Sequence, residues 1–170
     1  MPTPPAFHLV CGATGAGKTT HALRLARERR AVPFSIDDWM VRLFAPDMPG
    51  PPDWNWIGER AARCEEQIVA TALALGQTGG SSILDLGLLR AERRQALAAR
   101  ATAAGLGVEL HFIDVGPAER WRRISARNNE KGETYRLTVT RPMFDFIETI
   151  WQPPDAREMV ALNGTRVTQS

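Results

Sequence analysis

Apolar positions fall into two kinds of run that alternate along the chain. Short unbroken runs read as buried strands: Phe7–Cys11, Val32–Ile36 (interrupted by Pro33), Ser81–Leu86 and Val108–Val115. Between them apolar residues recur every three or four positions, the spacing that gathers them on one helix face. Residues 18–30 place Ala22, Leu25 and Ala26 on such a face. Ile57, Ala61, Cys64, Ile68, Ala72 and Leu75 do the same over 57–75. Shorter helices are predicted over Trp39–Phe44, over 90–104, from Pro117 onward and over 142–151, Pro117 taking the favoured first-turn position. Met159–Leu162 reads as a last strand. Ala45–Trp56 holds four prolines and is expected to be irregular.

Strands alternating with helices specify an α/β fold, here a three-layer α/β/α arrangement around a parallel sheet of about five strands. With 170 residues, no repeat and no linker, residues 1–170 are expected to form a single domain. Ligands of such sheets bind outside the carboxyl ends of the strands. Three polar clusters fall at predicted strand ends: Gly12–Thr19, Asp37-Asp38 and Asp85.

Composition narrows the partners. Twenty-one basic side chains against 19 acidic leave a net charge of +2, too even to argue for nucleic acid or a membrane surface. No apolar run approaches the roughly 18 residues that span a bilayer. The start has neither a basic region nor a long apolar stretch, so a cytoplasmic location is expected. Cys11 and Cys64 are too few for a disulfide framework, and His8, His21 and His111 show no ligand spacing, which reads them as structural. Only two of the basic residues are lysines, Lys18 and Lys131.

Lys18 lies in the one highly specific motif. Gly12-Ala13-Thr14-Gly15-Ala16-Gly17-Lys18-Thr19 fits G-x-x-x-x-G-K-[ST] at every required position, after an apolar strand and before an amphipathic helix. Its glycines let successive backbone N–H groups converge on a polyphosphate, and the helix dipole adds to them. Residues Gly12–Thr20 are thus expected to bind ATP, with Lys18 on the β- and γ-phosphates and the Thr19 hydroxyl on Mg²⁺.

This loop, Phe34-Ser-Ile-Asp-Asp-Trp39, Ile83-Leu-Asp-Leu-Gly87 and Arg123-Ile-Ser-Ala-Arg127-Asn together resemble the small P-loop kinases. More narrowly, the chain is similar to the "AAA family ATPase" branch that includes relatives of zeta toxins, chloramphenicol phosphotransferase and polynucleotide 5′-kinases. The likeness runs over most of residues 7–160 and implies a P-loop kinase with a short lid. The chain is too short for a hexameric AAA module with its helical lid domain.

A phosphoryl transferase often needs a base for the acceptor hydroxyl, and Asp37 and Asp38 both qualify by position. The resemblance favours Asp37, since the first aspartate after this strand contacts the acceptor in those kinases. Either aspartate could instead cap the helix at Trp39. Arg42 either pairs with Asp38 on the helix surface or, as the resemblance implies, faces the acceptor. Asp85 is the better Walker-B-like carboxylate, able to hold a magnesium water or to orient Arg42 on the substrate side; Asp114 is its rival.

Arg120, Arg123 and Arg127 share one helix face before the polar 129–138 segment, which reads as a lid. Arg123 and Arg127 are expected to neutralise charge on the transferred phosphoryl group, with Lys131 and Arg136 joining the closed state. Trp121, Ile124 and Asn128 form a separate, packing face. Trp39, Phe44, Trp54 and Trp56 either wall an acceptor site within the 45–56 insertion or pin that segment to the surface.

These features favour a small-molecule hydroxyl acceptor. No basic-aromatic stripe typical of a single-strand groove is present, which ranks polynucleotide ends lower. A nucleotide switch or ATPase without an acceptor is the alternative from another class. A protein partner or antitoxin leaves no mark in a single chain.

Overall fold

The computed structural model describes residues 4–48, 50, 53–130 and 138–168. The elements run β1 (Ala6–Cys11), α1 (Lys18–Arg29), β2 (Val32–Ser35), α2 (Ile36–Phe44), α3 (Trp54–Gln77), β3 (Ser82–Asp85), α4 (Ala91–Ala103), β4 (Gly107–Asp114), α5 (Pro117–Glu130), α6 (Arg141–Ile150), α7 (Ala156–Ala161) and β5 (Thr165–Thr168). The five strands form one parallel sheet in the order β2-β3-β1-β4-β5. The α/β fold expected from the sequence is the one found. Pro33 sits in an edge strand, where its missing N–H costs no ladder bond.

Side-chain alternation along β1 splits the core in two. Phe7, Leu9 and Cys11 pack with Leu84, Leu110 and Phe112 against Ile68, Val69 and Ala72 of α3 and Leu97, Ala98 and Ala101 of α4. Val10, Ile83 and Ile113 pack on the other face against Ala22, Leu25 and Ala26 of α1. A third cluster joins α5 to α6 through Ile124, Val139 and Phe144, with Trp121 against them, so the expected packing face of α5 is present. Asn128 closes that unit by exchanging hydrogen bonds with the Val139 carbonyl and N–H, at 2.9 and 3.2 Å.

Three stretches differ from the hydrophobic pattern. Helix α2 starts at Ile36, three residues earlier than predicted, because the Ser35 hydroxyl accepts from Asp38 N–H and caps it. The span Ala45–Trp56 is not wholly irregular: Ala45–Asp47 form a 3₁₀ turn, and Asp53 caps α3, which begins at Trp54. Met159–Leu162 is not a strand. Asp155 caps α7 there, and the last strand follows Asn163 and Gly164, made of the polar run Thr165–Thr168 on the sheet edge. Of the expected lid, Asn129 and Glu130 belong to α5, whereas Lys131 and Arg136 lie outside the described residues.

Two buried guanidiniums cross-link distant elements. Arg94, fully buried on α4, makes a bidentate pair with Glu158 of α7 at 2.6 and 2.8 Å and donates to the Leu88 carbonyl. Arg120 of α5 makes a second, with Glu148 of α6 at 2.8 and 2.7 Å.

Candidate active site

The turn between β1 and α1 is shaped by what surrounds it. Gly15 (φ 83°) and Gly17 (φ 93°) take left-handed conformations that side chains resist. A Cβ on Gly15 would lie 2.7 Å from the Arg120 carbonyl oxygen and 2.9 Å from the Ile124 side chain, so α5 is pressed onto the loop. Arg120 holds this contact from the other side, donating to the Thr14 carbonyl at 3.2 Å and to the Val115 carbonyl at 2.9 Å. Lys18 Nζ folds over the turn toward the Ala13 carbonyl, 3.4 Å away.

Helix α1 has no side-chain cap and no acidic residue in its first turn. Its leading N–H groups, which include those of Thr19 and Thr20, therefore face outward as donors at the positive end of the helix dipole. An anion is what such an end accepts.

Carboxylates gather opposite. Asp85, at the end of β3, is buried, and the Thr19 hydroxyl donates to its Oδ2 at 2.6 Å. Burial pushes the Asp85 carboxyl above its usual range; Lys18 and the Thr19 hydrogen bond pull it back, and Asp37 pushes it further up. Asp37 is thus near enough for its charge to be felt at Asp85. It is exposed on the first turn of α2 and makes no hydrogen bond or ion pair among the described residues. Asp38 differs: it holds Arg42 at 2.8 Å, and Arg42 is mostly solvent-exposed, so the surface pair is the arrangement present. Neither aspartate caps α2, since Ser35 does. Asp114 is engaged elsewhere, in an ion pair with Arg166 across β4 and β5.

A family model described as an AAA domain, AAA_33, matches residues 7–142. The chain belongs to the AAA_33 family. No curated protein matches it significantly. Among solved structures it is similar to a candidate kinase from Chloroflexus aurantiacus (22% identity, TM-score 0.70, covering 98% of this chain and 85% of that one). It also resembles APS kinase from Mycobacterium tuberculosis in complex with AMPPNP and APS (18%, TM-score 0.65, 98% and 90%). A third likeness is to Kti12 from Chaetomium thermophilum in complex with ADP-AlF3 (15%, TM-score 0.67, 95% and 88%). At these identities the likeness establishes the fold: this AAA_33 domain has the P-loop kinase fold.

The three arginines that share a face of α5 divide. Arg120 is consumed by the structural contacts above. Arg123 is half-buried and paired with Glu119 at 2.7 Å, and two guanidiniums, of Arg122 and Arg123, hold the Glu119 carboxyl down to about 2. Arg127 is half-buried, and its Nε has no hydrogen-bond partner among the described residues. The aromatics of the insertion mostly engage one another. Phe44 meets Trp56 edge-on at 6.3 Å, Arg60 stacks 3.7 Å above Trp56, and Trp39 packs on Phe34; Trp54 alone of the four stands out, 62% exposed. No helix among the described residues is long and apolar enough to cross a membrane.

Sequence reasoning missed the Arg120 anchor and a convergence of the histidines. Register places His8 opposite Glu109, and His111 two residues further along β4, all directed to the α1 face, where His21 joins them. Burial lowers the affinity of these imidazoles for a second proton, that of His111 to about 4. The only long-range signal was histidine parity within β1 and β4, which is legible once the register is known.

Proposed function

We propose that this AAA_33 domain is an ATP- and Mg²⁺-dependent phosphotransferase that moves a γ-phosphoryl group to the hydroxyl of a small molecule. The observation that carries this reading is the pairing of an uncapped, acid-free helix end at Lys18–Thr20 with a free, exposed carboxylate, Asp37, close enough to perturb Asp85. The first arrangement suits a polyphosphate and the second an acceptor hydroxyl. Both open at the carboxyl end of the same sheet, after β1 and β2, the two strands that flank β3.

The residues present fit magnesium: a buried carboxylate and a hydroxyl already in contact offer the oxygen donors that it prefers. Thr19 and Asp85 would hold the ion, Asp85 directly or through water, and the ion would screen the β- and γ-phosphate oxygens when bound. The loop amides from Ala13 to Thr20 would bind the phosphates, and Lys18 would leave the Ala13 carbonyl for their β- and γ-oxygens. Asp37 would accept the acceptor's proton as its oxygen bonds to phosphorus and the bond to the ADP oxygen breaks. Arg123 and Arg127 would stabilise charge on the transferring group. Arg127 has the readier guanidinium, because Arg123 must also serve Glu119. Asp38 and Arg42 would border the acceptor as a pair.

A cavity of about 290 Å³ begins one residue beyond Asp85, lined by Leu86–Arg90, Glu65, Arg93 and Ile150. A small acceptor is favoured over a polynucleotide end because the sequence carries no basic-aromatic stripe of the kind that binds single strands. The test is an acceptor screen over sugars, nucleosides, aminoglycosides, sugar nucleotides and 5′-hydroxyl oligonucleotides, read as ADP release. ADP that appears only with one class of small hydroxyl compound is the expected result. Rapid ATP hydrolysis that no acceptor changes would replace the transferase with a nucleotide switch.

A further inference from the structure

The side chains behind the phosphate loop converge in a way that the proposed transfer reaction does not use. We propose that His8 Nδ1, His111 Nε2 and a Glu109 carboxylate oxygen form a site for one divalent transition-metal ion of the Zn²⁺ class, with the fourth position left to water.

The geometry carries this assignment. His8 Nδ1 lies 3.2 Å from His111 Nε2 and 3.3 Å from Glu109 Oε2, and the remaining edge of the triangle is 3.8 Å. A tetrahedral ion bonded at roughly 2.0–2.1 Å has its ligand atoms about 3.3 Å apart. The triangle therefore has the size of one face of such a shell. Two imidazole nitrogens and one carboxylate are a zinc-type donor set, unlike the all-oxygen set preferred by Mg²⁺. The site is also rigid: His8 and His111 are 3% and 5% exposed and stand on neighbouring paired strands.

Protons alone satisfy this triangle poorly. If His8 Nδ1 carries the proton, two acceptors compete for it. If His111 Nε2 carries it, a bare His8 nitrogen faces a carboxylate oxygen. A cation serves all three atoms together.

His21 supplies an independent sign of a missing partner. It is 5% exposed, its ring centroid lies 5.4 Å from that of His111, and its Nε2 has no partner among the described residues. Arg24 Nη2 lies 3.2 Å from His21 Nδ1. A guanidinium only donates, so Nδ1 is the acceptor and the His21 proton sits on the orphaned Nε2. A metal-bound hydroxide, formed from the water in the fourth position, would give that proton an acceptor. Arg29 is the competing cation. It stands 3.6 Å from the Glu109 carboxylate on a half-exposed side chain, beyond hydrogen-bond distance.

The test uses the full chain, stripped with a chelator and titrated with Zn²⁺ or with Co²⁺ as a spectroscopic probe. One ion per chain, the strong visible absorption of four-coordinate Co²⁺, and a melting temperature raised by Zn²⁺ but not by Mg²⁺ are expected. Glu109→Gln, at a partly exposed position that should keep the fold, is expected to weaken Zn²⁺ by more than the roughly 100-fold typical of losing an outer partner. Asp85→Asn should leave Zn²⁺ binding intact. Equal affinity in wild type and Glu109→Gln, loss of Zn²⁺ binding in Asp85→Asn, or a cobalt–thiolate band implicating Cys11 or Cys64 would each overturn the assignment.

Discussion

Helices α1 and α2 both leave the carboxyl end of a strand in the same sheet, yet their first turns are opposites. Helix α2 is closed by the chain itself: Ser35 caps it, and Asp37 and Asp38 bring negative charge to its positive end. Helix α1 has Gly17 where a capping side chain would stand, no acid in its first turn, and Lys18 and Thr19 as its leading residues. With Gly17 at the cap position, that end forgoes a few tenths of a kcal/mol that a serine or aspartate would supply. A fold that caps α2, α3, α6 and α7 with side chains, and gives Ala91 of α4 a Gln152 side-chain acceptor, leaves α1 open. The difference separates a helix end closed by its own side chains from one left open to the anion proposed above.

Removing the cation from the open end should have the largest effect. Lys18→Ala is expected to lower phosphoryl transfer by on the order of 10³-fold, the upper cost of deleting one transition-state donor. ADP formation with the acceptor found by screening measures this. Asp37→Asn breaks the other side and should lower kcat by roughly 10²- to 10⁴-fold, the range of general-base catalysis. Nucleotide affinity, read by calorimetry, should stay unchanged; a parallel loss of affinity would move Asp37 from acceptor to nucleotide. The smallest effect is expected at the cap. Ser35→Ala should cost about 1 kcal/mol of stability in a urea melt and leave nucleotide affinity as it was. If Ser35→Ala instead weakened nucleotide binding, the contrast between the two helix ends would not hold.

How much of this was legible in the sequence follows from how local each signal is. The phosphate loop is eight contiguous residues whose conformation and ligand chemistry are set together, so it reads directly. The buried strands β1, β3 and β4 read equally well, because a parallel sheet covered on both faces needs unbroken apolar runs. Strand β5 was hidden because an edge strand can be Thr-Arg-Val-Thr, with Val167 alone turned toward the core. The start of α2 was hidden because Ser35 looks like any strand-end polar residue until its hydroxyl is seen on Asp38 N–H. Arg120 shows the limit of helical-face reasoning. It shares a face with Arg123 and Arg127, but Glu148, 28 residues later, claims its guanidinium. The histidine cluster is still less local, its members His8 and His111 being 103 residues apart.

The Arg120–Glu148 pair also bears on where this molecule can be cut. The family match ends at residue 142, before Glu148 and before Glu158, the counter-charge of Arg94. A fragment trimmed to that boundary would strand two interior guanidiniums without their anions. Breaking a buried pair costs about 3–5 kcal/mol each time, comparable in sum with the entire stability of an ordinary domain. The stretch beyond residue 142, about a sixth of the chain, is therefore a keystone for the turn between β1 and α1, and truncation designed from homology alone would bring it down.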